Sequence, residues 1–180
     1  MSASAALAAF QRAPAPGVSR WYMGSLLTYL ADTNETGGAY TLLDVVLKPG
    51  NEPPPHVHSR EDELFYVVEG SFEVYVGRET FPVNEGGCVF LPRLKPHGFS
   101  IRSPQLHLLV LLTPGGIGEA FRVNSVPAQN LDRPPDAITY STGDLGEAAQ
   151  RLAQYGVRML TADEVASQMP SYRNPTEAAS

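Results

Sequence analysis

An all-β fold, an antiparallel sandwich or barrel, is the architecture this sequence predicts. Short apolar stretches between Trp21 and Leu112 are separated by turns rich in glycine and proline. Some of them alternate cleanly, with Phe72, Val74 and Val76 on one face and Glu73 and Tyr75 on the other. Helical patterns are confined to the region after Gly116. The chain has 180 residues, 43% hydrophobic and 18% charged, enough for one core without covalent staples. Residues 1–20 read as a flexible N-terminal extension, 21–115 as the barrel and 116–180 as a helical extension packed on the barrel or on a partner, a single domain overall.

The elements follow in order. Arg12–Gly17 is a proline-rich lead, and Trp21–Leu30 reads as one or two strands broken near Gly24. Asp32–Gly38 is a turn. Tyr40–Leu47 and Leu106–Leu112 are largely apolar without clean alternation, which predicts burial on both faces. Ser71–Val76 and Thr80–Val83 form a hairpin about Gly77-Arg78, and Asn84–Gly87 turns into Cys88–Leu91. Gly118–Val123 is a short helix. Thr142–Tyr155 is a longer one ended by Gly156, and a third begins at Thr161, where Glu164 three residues on completes a capping box.

Several classes are excluded by composition. A net charge of −6 without a basic run does not suit a nucleic-acid surface, which needs clustered lysine and arginine. No apolar run has the length of a membrane span. The alanine-rich start carries no lysine or arginine before its apolar residues, unlike a secretory leader. Cys88 is the one cysteine, so a disulfide framework and multi-cysteine zinc modules are ruled out, and it reads as a small packing residue. A reducing, cytoplasmic setting is the expectation. Trp21–Leu30 and the C-terminal helices offer more apolar surface than a small barrel needs, which predicts a homodimer.

The chemistry concentrates in residues 50–70. His56 and His58 lie one residue apart on an extended segment, because Pro53, Pro54 and Pro55 disfavour helix there, so both rings project to one face and can share a ligand. Glu63 offers an oxygen to accompany them, although Glu61 and Asp62 compete for that role. His97 supplies a third nitrogen. Three imidazoles and a carboxylate suit a divalent transition metal, whether iron, manganese, nickel, copper or zinc, one per chain. An isolated His-x-His would more often be a pair of surface histidines; by strand parity Glu61, unlike Asp62, shares the face of Glu63 and could support the ligands from behind, although a solvated loop charge is the simpler account. By parity Phe65 shares the face of Glu63, while Phe99 and Ile101 share that of His97, making an apolar pocket wall. His107 reads as a satisfied core or edge histidine.

Gly50, His56-x-His58, Glu63 and Gly70 have the spacing of the first cupin motif, and Gly86, Pro92 and His97 that of the second. Leu94 and Ile101 depart from it, standing where glycine and asparagine are usual. Segments such as Pro53–His58, Arg60–Glu63 and Thr113–Gly116 make the chain resemble single-domain cupins similar to quercetin 2,3-dioxygenase, over roughly residues 21–121. The resemblance implies a jelly-roll barrel and selects His56, His58, Glu63 and His97 as metal ligands. It further implies a dioxygenase acting on a hydroxylated aromatic such as a flavonol, with Glu63 as the catalytic base. The rivals are a cupin isomerase or lyase of a sugar-derived acid, anchored by Lys48, Arg60, Arg93 or Lys95, and a non-enzymatic cupin that binds metal or a small molecule.

Overall fold

Every second side chain along Leu106–Thr113 and Cys88–Leu91 is buried. Strands with one apolar face must cover it, and here two antiparallel sheets cover one another. They are seen in a computed structural model that describes residues 6–135 and 145–173. The first sheet has seven strands in the spatial order β11 (Val126–Pro127), β1 (Ser19–Tyr22), β2 (Ser25–Ala31), β3 (Thr41–Leu47), β10 (Leu106–Thr113), β5 (Asp62–Glu69) and β8 (Cys88–Leu91). The second has five, in the order β12 (Val157–Met159), β4 (His56–His58), β9 (His97–Ile101), β6 (Ser71–Val76) and β7 (Glu79–Asn84). Three helices follow the barrel strands: α1 (Gly118–Val123), α2 (Leu145–Gln154) and α3 (Ala162–Gln168). This is the all-β jelly roll with C-terminal helices.

One apolar core joins the two sheets. Leu43, Val67 and Leu108 come to it from the first sheet, Phe72 and Val74 from the second. The rings of Phe65, Phe72 and Phe99 meet at its centre with centroids 5.5–5.8 Å apart and steeply inclined, the arrangement aromatic quadrupoles favour. Glu52 ties the loop before β4 to β9, accepting from the Ile101 amide at 3.0 Å. Residue 101 therefore serves the sheet through its backbone, while its side chain belongs to the core.

Four expectations need correction. β3 and β10 are not buried on both faces: Leu42, Leu109 and Leu111 point outward and remain half-exposed, because none of the described residues fully covers that side of the sheet. Cys88 is exposed rather than packed, since its strand position faces outward. Trp21 and Leu26 are not spare apolar surface, for they form a small second core with Ala128, and the Trp21 indole N–H donates to the Asp132 carbonyl at 2.9 Å. β11 and β12 are strands in stretches where no strand was expected, one shortly after α1 and one just past Gly156, the expected end of a helix. α2 is present over Leu145–Gln154; residues 142–144 of its expected first turn lie outside the described residues. α3 carries the expected capping box, Thr161 N–H to Glu164 at 2.9 Å and Glu164 N–H back to Thr161 at 3.3 Å.

Candidate metal centre

β4 is only three residues long, yet it is held on both edges. His56 stands opposite His97 of β9, and β12 pairs along the other side with Met159 opposite His56 and Val157 opposite His58. Because His56 and His58 are two apart on this strand, their rings leave on one face, where His97 and Glu63 meet them from β9 and β5. Ligand atoms of His56, His58, Glu63 and His97 all lie within 4.8 Å of one another. His97 Nε2 is 3.5 Å from a Glu63 oxygen, and His58 Nε2 is 4.0 Å from it.

The hydrogen bonds fix which ring nitrogen faces inward. A carbonyl oxygen can only accept, so His56 Nδ1–H donates to Pro54 at 2.8 Å and His97 Nδ1–H to Lys95 at 3.1 Å. In the neutral rings, the form a metal takes, both Nε2 atoms then present lone pairs, and these face each other across 3.2 Å. Burial, together with the neighbouring His97 and His58, lowers the His56 pKa well below the usual imidazole value, so it stays neutral near pH 7. Two neutral lone pairs at that separation repel unless a cation lies between them. The donor set thus fits a divalent transition metal in its chemistry, its tautomers and its spacing.

His58 differs. Burial opposes its charged form, but Glu61 and Glu63 outweigh that, and its pKa is raised. Glu61, which the sequence suggested was more simply a solvated charge, is 3% exposed and lies 3.5 Å from His58 Nδ1. Strand parity with Glu63 was the available signal. Asp62 turns outward to Arg93, accepting from its backbone N–H at 2.8 Å and its Nη2 at 2.6 Å, which fastens the loop before His97 to the start of β5. In that loop Leu94 adopts a left-handed conformation, φ 66°, with its side chain 69% exposed. The loop keeps a glycine-like shape without a glycine, and the Leu94 N–H reaches the His58 carbonyl at 2.8 Å.

The cluster opens onto a cavity of about 470 Å³ whose walls include Leu27, Leu43, Phe65, Phe99, Leu108 and Leu152. Phe65 and Phe99 are therefore on the wall, while Ile101, expected beside them, is not. Leu152 comes from α2, so the C-terminal region lines the cavity as well as covering the barrel. His107 is not part of this lining; its Nε2 lies 2.8 Å from Asp44.

Residues 43–114 match the cupin domain family. Over 91 residues the chain is 33% identical to an uncharacterized protein of Streptomyces coelicolor, an alignment covering 51% of this chain and 81% of that protein. The chain is a cupin. This cupin is also 24% identical over 110 residues to the quercetin 2,3-dioxygenase of Bacillus subtilis, which covers 61% of the chain but only 33% of the dioxygenase, so it spans a third of that curated relative. Among solved structures, Streptomyces Pac13 with uridine superposes with a TM-score of 0.50 and 15% identity, over 72% of this chain and 98% of Pac13, a likeness of fold alone.

Proposed function

We propose that this cupin holds one divalent transition metal through His56, His58, Glu63 and His97 and acts as a dioxygenase on a hydroxylated aromatic such as a flavonol. The observation that carries this reading is the wall of the cavity next to the donor cluster. Its volume falls in the roughly 300–1,000 Å³ range of small-molecule sites, and none of Lys48, Arg60, Arg93 or Lys95 lines it. A sugar-derived acid would bring a carboxylate with no lysine or arginine among the described residues of the wall to pair with it, whereas a flat, neutral aromatic buries its faces against Phe65, Phe99 and the aliphatic side chains. The likeness to quercetin 2,3-dioxygenase supports the same class.

When bound, the metal supplies a Lewis acid for the substrate oxygen and a centre for oxygen chemistry. The chain's own residues do the rest. His56 and His97 are locked by the Pro54 and Lys95 carbonyls with Nε2 inward. The Glu63 carboxylate lies among the imidazoles, where it takes the proton of an entering phenol. Phe65 and Phe99 hold the ring and keep water from it.

Oxygen uptake by metal-loaded protein with a panel of flavonols and catechols tests this. Wild type should consume oxygen, and Glu63→Gln, at matched metal content, should be slower by about 10²- to 10⁴-fold, the usual worth of a general base. Equal rates would remove Glu63 from the mechanism; no uptake by wild type with any of several metals would overturn the oxygenase reading.

We also propose a homodimer. Its support is the outer face of β5 and β8, where Tyr66, Val68 and Phe90 stand exposed side by side. Light scattering at micromolar concentration should give twice the chain mass, and Phe90→Lys should give one chain mass. A monomeric wild type would refute the proposal.

A further inference from the structure

Glu61 is a buried carboxylate that the proposed reaction leaves unused. It sits in the turn between β4 and β5, a turn pinned by Ser59, whose backbone N–H donates to the Gly156 carbonyl at 2.8 Å and whose hydroxyl donates to the same oxygen at 2.9 Å. The two carboxylates bracket one imidazole: Glu63 of β5 approaches His58 Nε2, on the cavity side, and Glu61 of the turn approaches Nδ1, on the opposite side. Glu61 therefore cannot replace Glu63 around a common ion without displacing the ring between them. Neither His58 Nδ1 nor Glu61 Oε2 has a hydrogen-bond partner, and both are buried. At 3.5 Å they are each other's counterpart, about half an ångström short of a settled N–H···O bond.

We infer that Glu61 is the positioning residue for the His58 limb of the metal site: its carboxylate accepts the Nδ1–H of His58, fixes that tautomer and turns Nε2 toward the ion. The inference rests on metal binding at this site, not on the oxygenase reading. It gives each of the three imidazoles an acceptor behind it, a carbonyl for His56, a carbonyl for His97 and a full negative charge for His58. A carboxylate behind a ligand histidine raises the basicity of the coordinating nitrogen, and losing such a partner commonly lowers metal affinity by about 10- to 100-fold. It also accounts for an acid held at 3% exposure, since the charge of a bound ion reaches it through the ring.

The test uses the full chain, stripped of metal and titrated with zinc against a chromophoric chelator, for wild type, Glu61→Gln and Glu61→Ala. Zinc should bind about 10- to 100-fold more weakly to Glu61→Ala. Glu61→Gln should fall between, because it keeps an acceptor of the same size without the charge. In zinc-loaded wild type the His58 Nδ1–H proton should appear at the low field of a proton shared with a carboxylate and move upfield in Glu61→Gln, a change that a merely structural role would not produce. If Glu61→Ala does not fold, Glu61→Gln decides. Wild-type zinc affinity in both variants, or an unmoved proton signal, would overturn the inference while leaving the metal site standing. Failure of wild type itself to bind zinc or cobalt(II) would overturn the metal reading and this one together.

Discussion

Single residues of the two motifs are constrained for different reasons, and glycine shows it best. Gly50 and Gly70 both have left-handed backbones, φ 90° and 92°. A methyl group on Gly50 would project into open space, so alanine there meets only the conformational penalty of about 1 kcal/mol. On Gly70 it would overlap the Gln105 carbonyl and the Ser103 hydroxyl. A backbone oxygen cannot step aside, so overpacking adds to strain, and Gly70→Ala should destabilise by about 2–4 kcal/mol. Urea denaturation of both variants checks this; equal losses would mean that the turn at Gly70 relaxes freely.

At the scale of elements, the loop that delivers His97 is fastened by one ion pair. Arg93 beside Asp62 lowers the Asp62 pKa to about 2. A carboxyl whose pKa falls on folding contributes stability that is complete above its unfolded value, about 3.9, and is lost as pH falls through the folded one. Metal-free wild type should therefore melt higher than Asp62→Asn at pH 6, with the gap closing between about pH 4 and pH 2. A gap independent of pH over that range would show that the pair is not what holds the loop. β4 presents the complementary case, for it is too short to be stable alone and depends on β9 and β12 along its two edges. The C-terminal region thereby supports the strand that carries two of the four donors.

For the whole molecule, the donor cluster links fold and function, because an ion bound there binds only the folded chain. At ~100 times its dissociation constant a metal adds about 2.7 kcal/mol, or roughly 5 to 11 °C in melting temperature at this chain length. Chelation should lower the melting temperature by that amount. Protons compete for the imidazole nitrogens, and His58, whose pKa Glu61 and Glu63 raise above the ordinary value of about 6.5, takes one first, so affinity should begin to decline above that pH and fall further as pH drops. An unchanged melting curve after verified metal removal would refute the coupling. No helix among the described residues is long and apolar enough to cross a membrane.

The local pattern determined a great deal. Apolar runs between glycine-proline turns mark most of the strands from β1 to β10, and where they alternate, as in β6, they also give the faces, because the face a side chain takes depends on its place along an extended backbone. The same parity puts His56 with His58 and Phe65 with Glu63, and motif spacing adds His97. What depends on distant parts of the chain meeting was not legible. Gly156 reads as a helix stop, yet the residues just past it complete the sheet beside β4. Leu152 is an ordinary apolar helix position until α2 lies against the cavity. Ile101 has the right parity for the wall, but a strand leaves the cavity behind as it runs on, and parity carries no information about depth. Glu61 has the composition of a solvated acid, and only the closing of the barrel around His58 decides that it is buried: burial is a property of what packs against a residue, not of the residue or its neighbours in sequence.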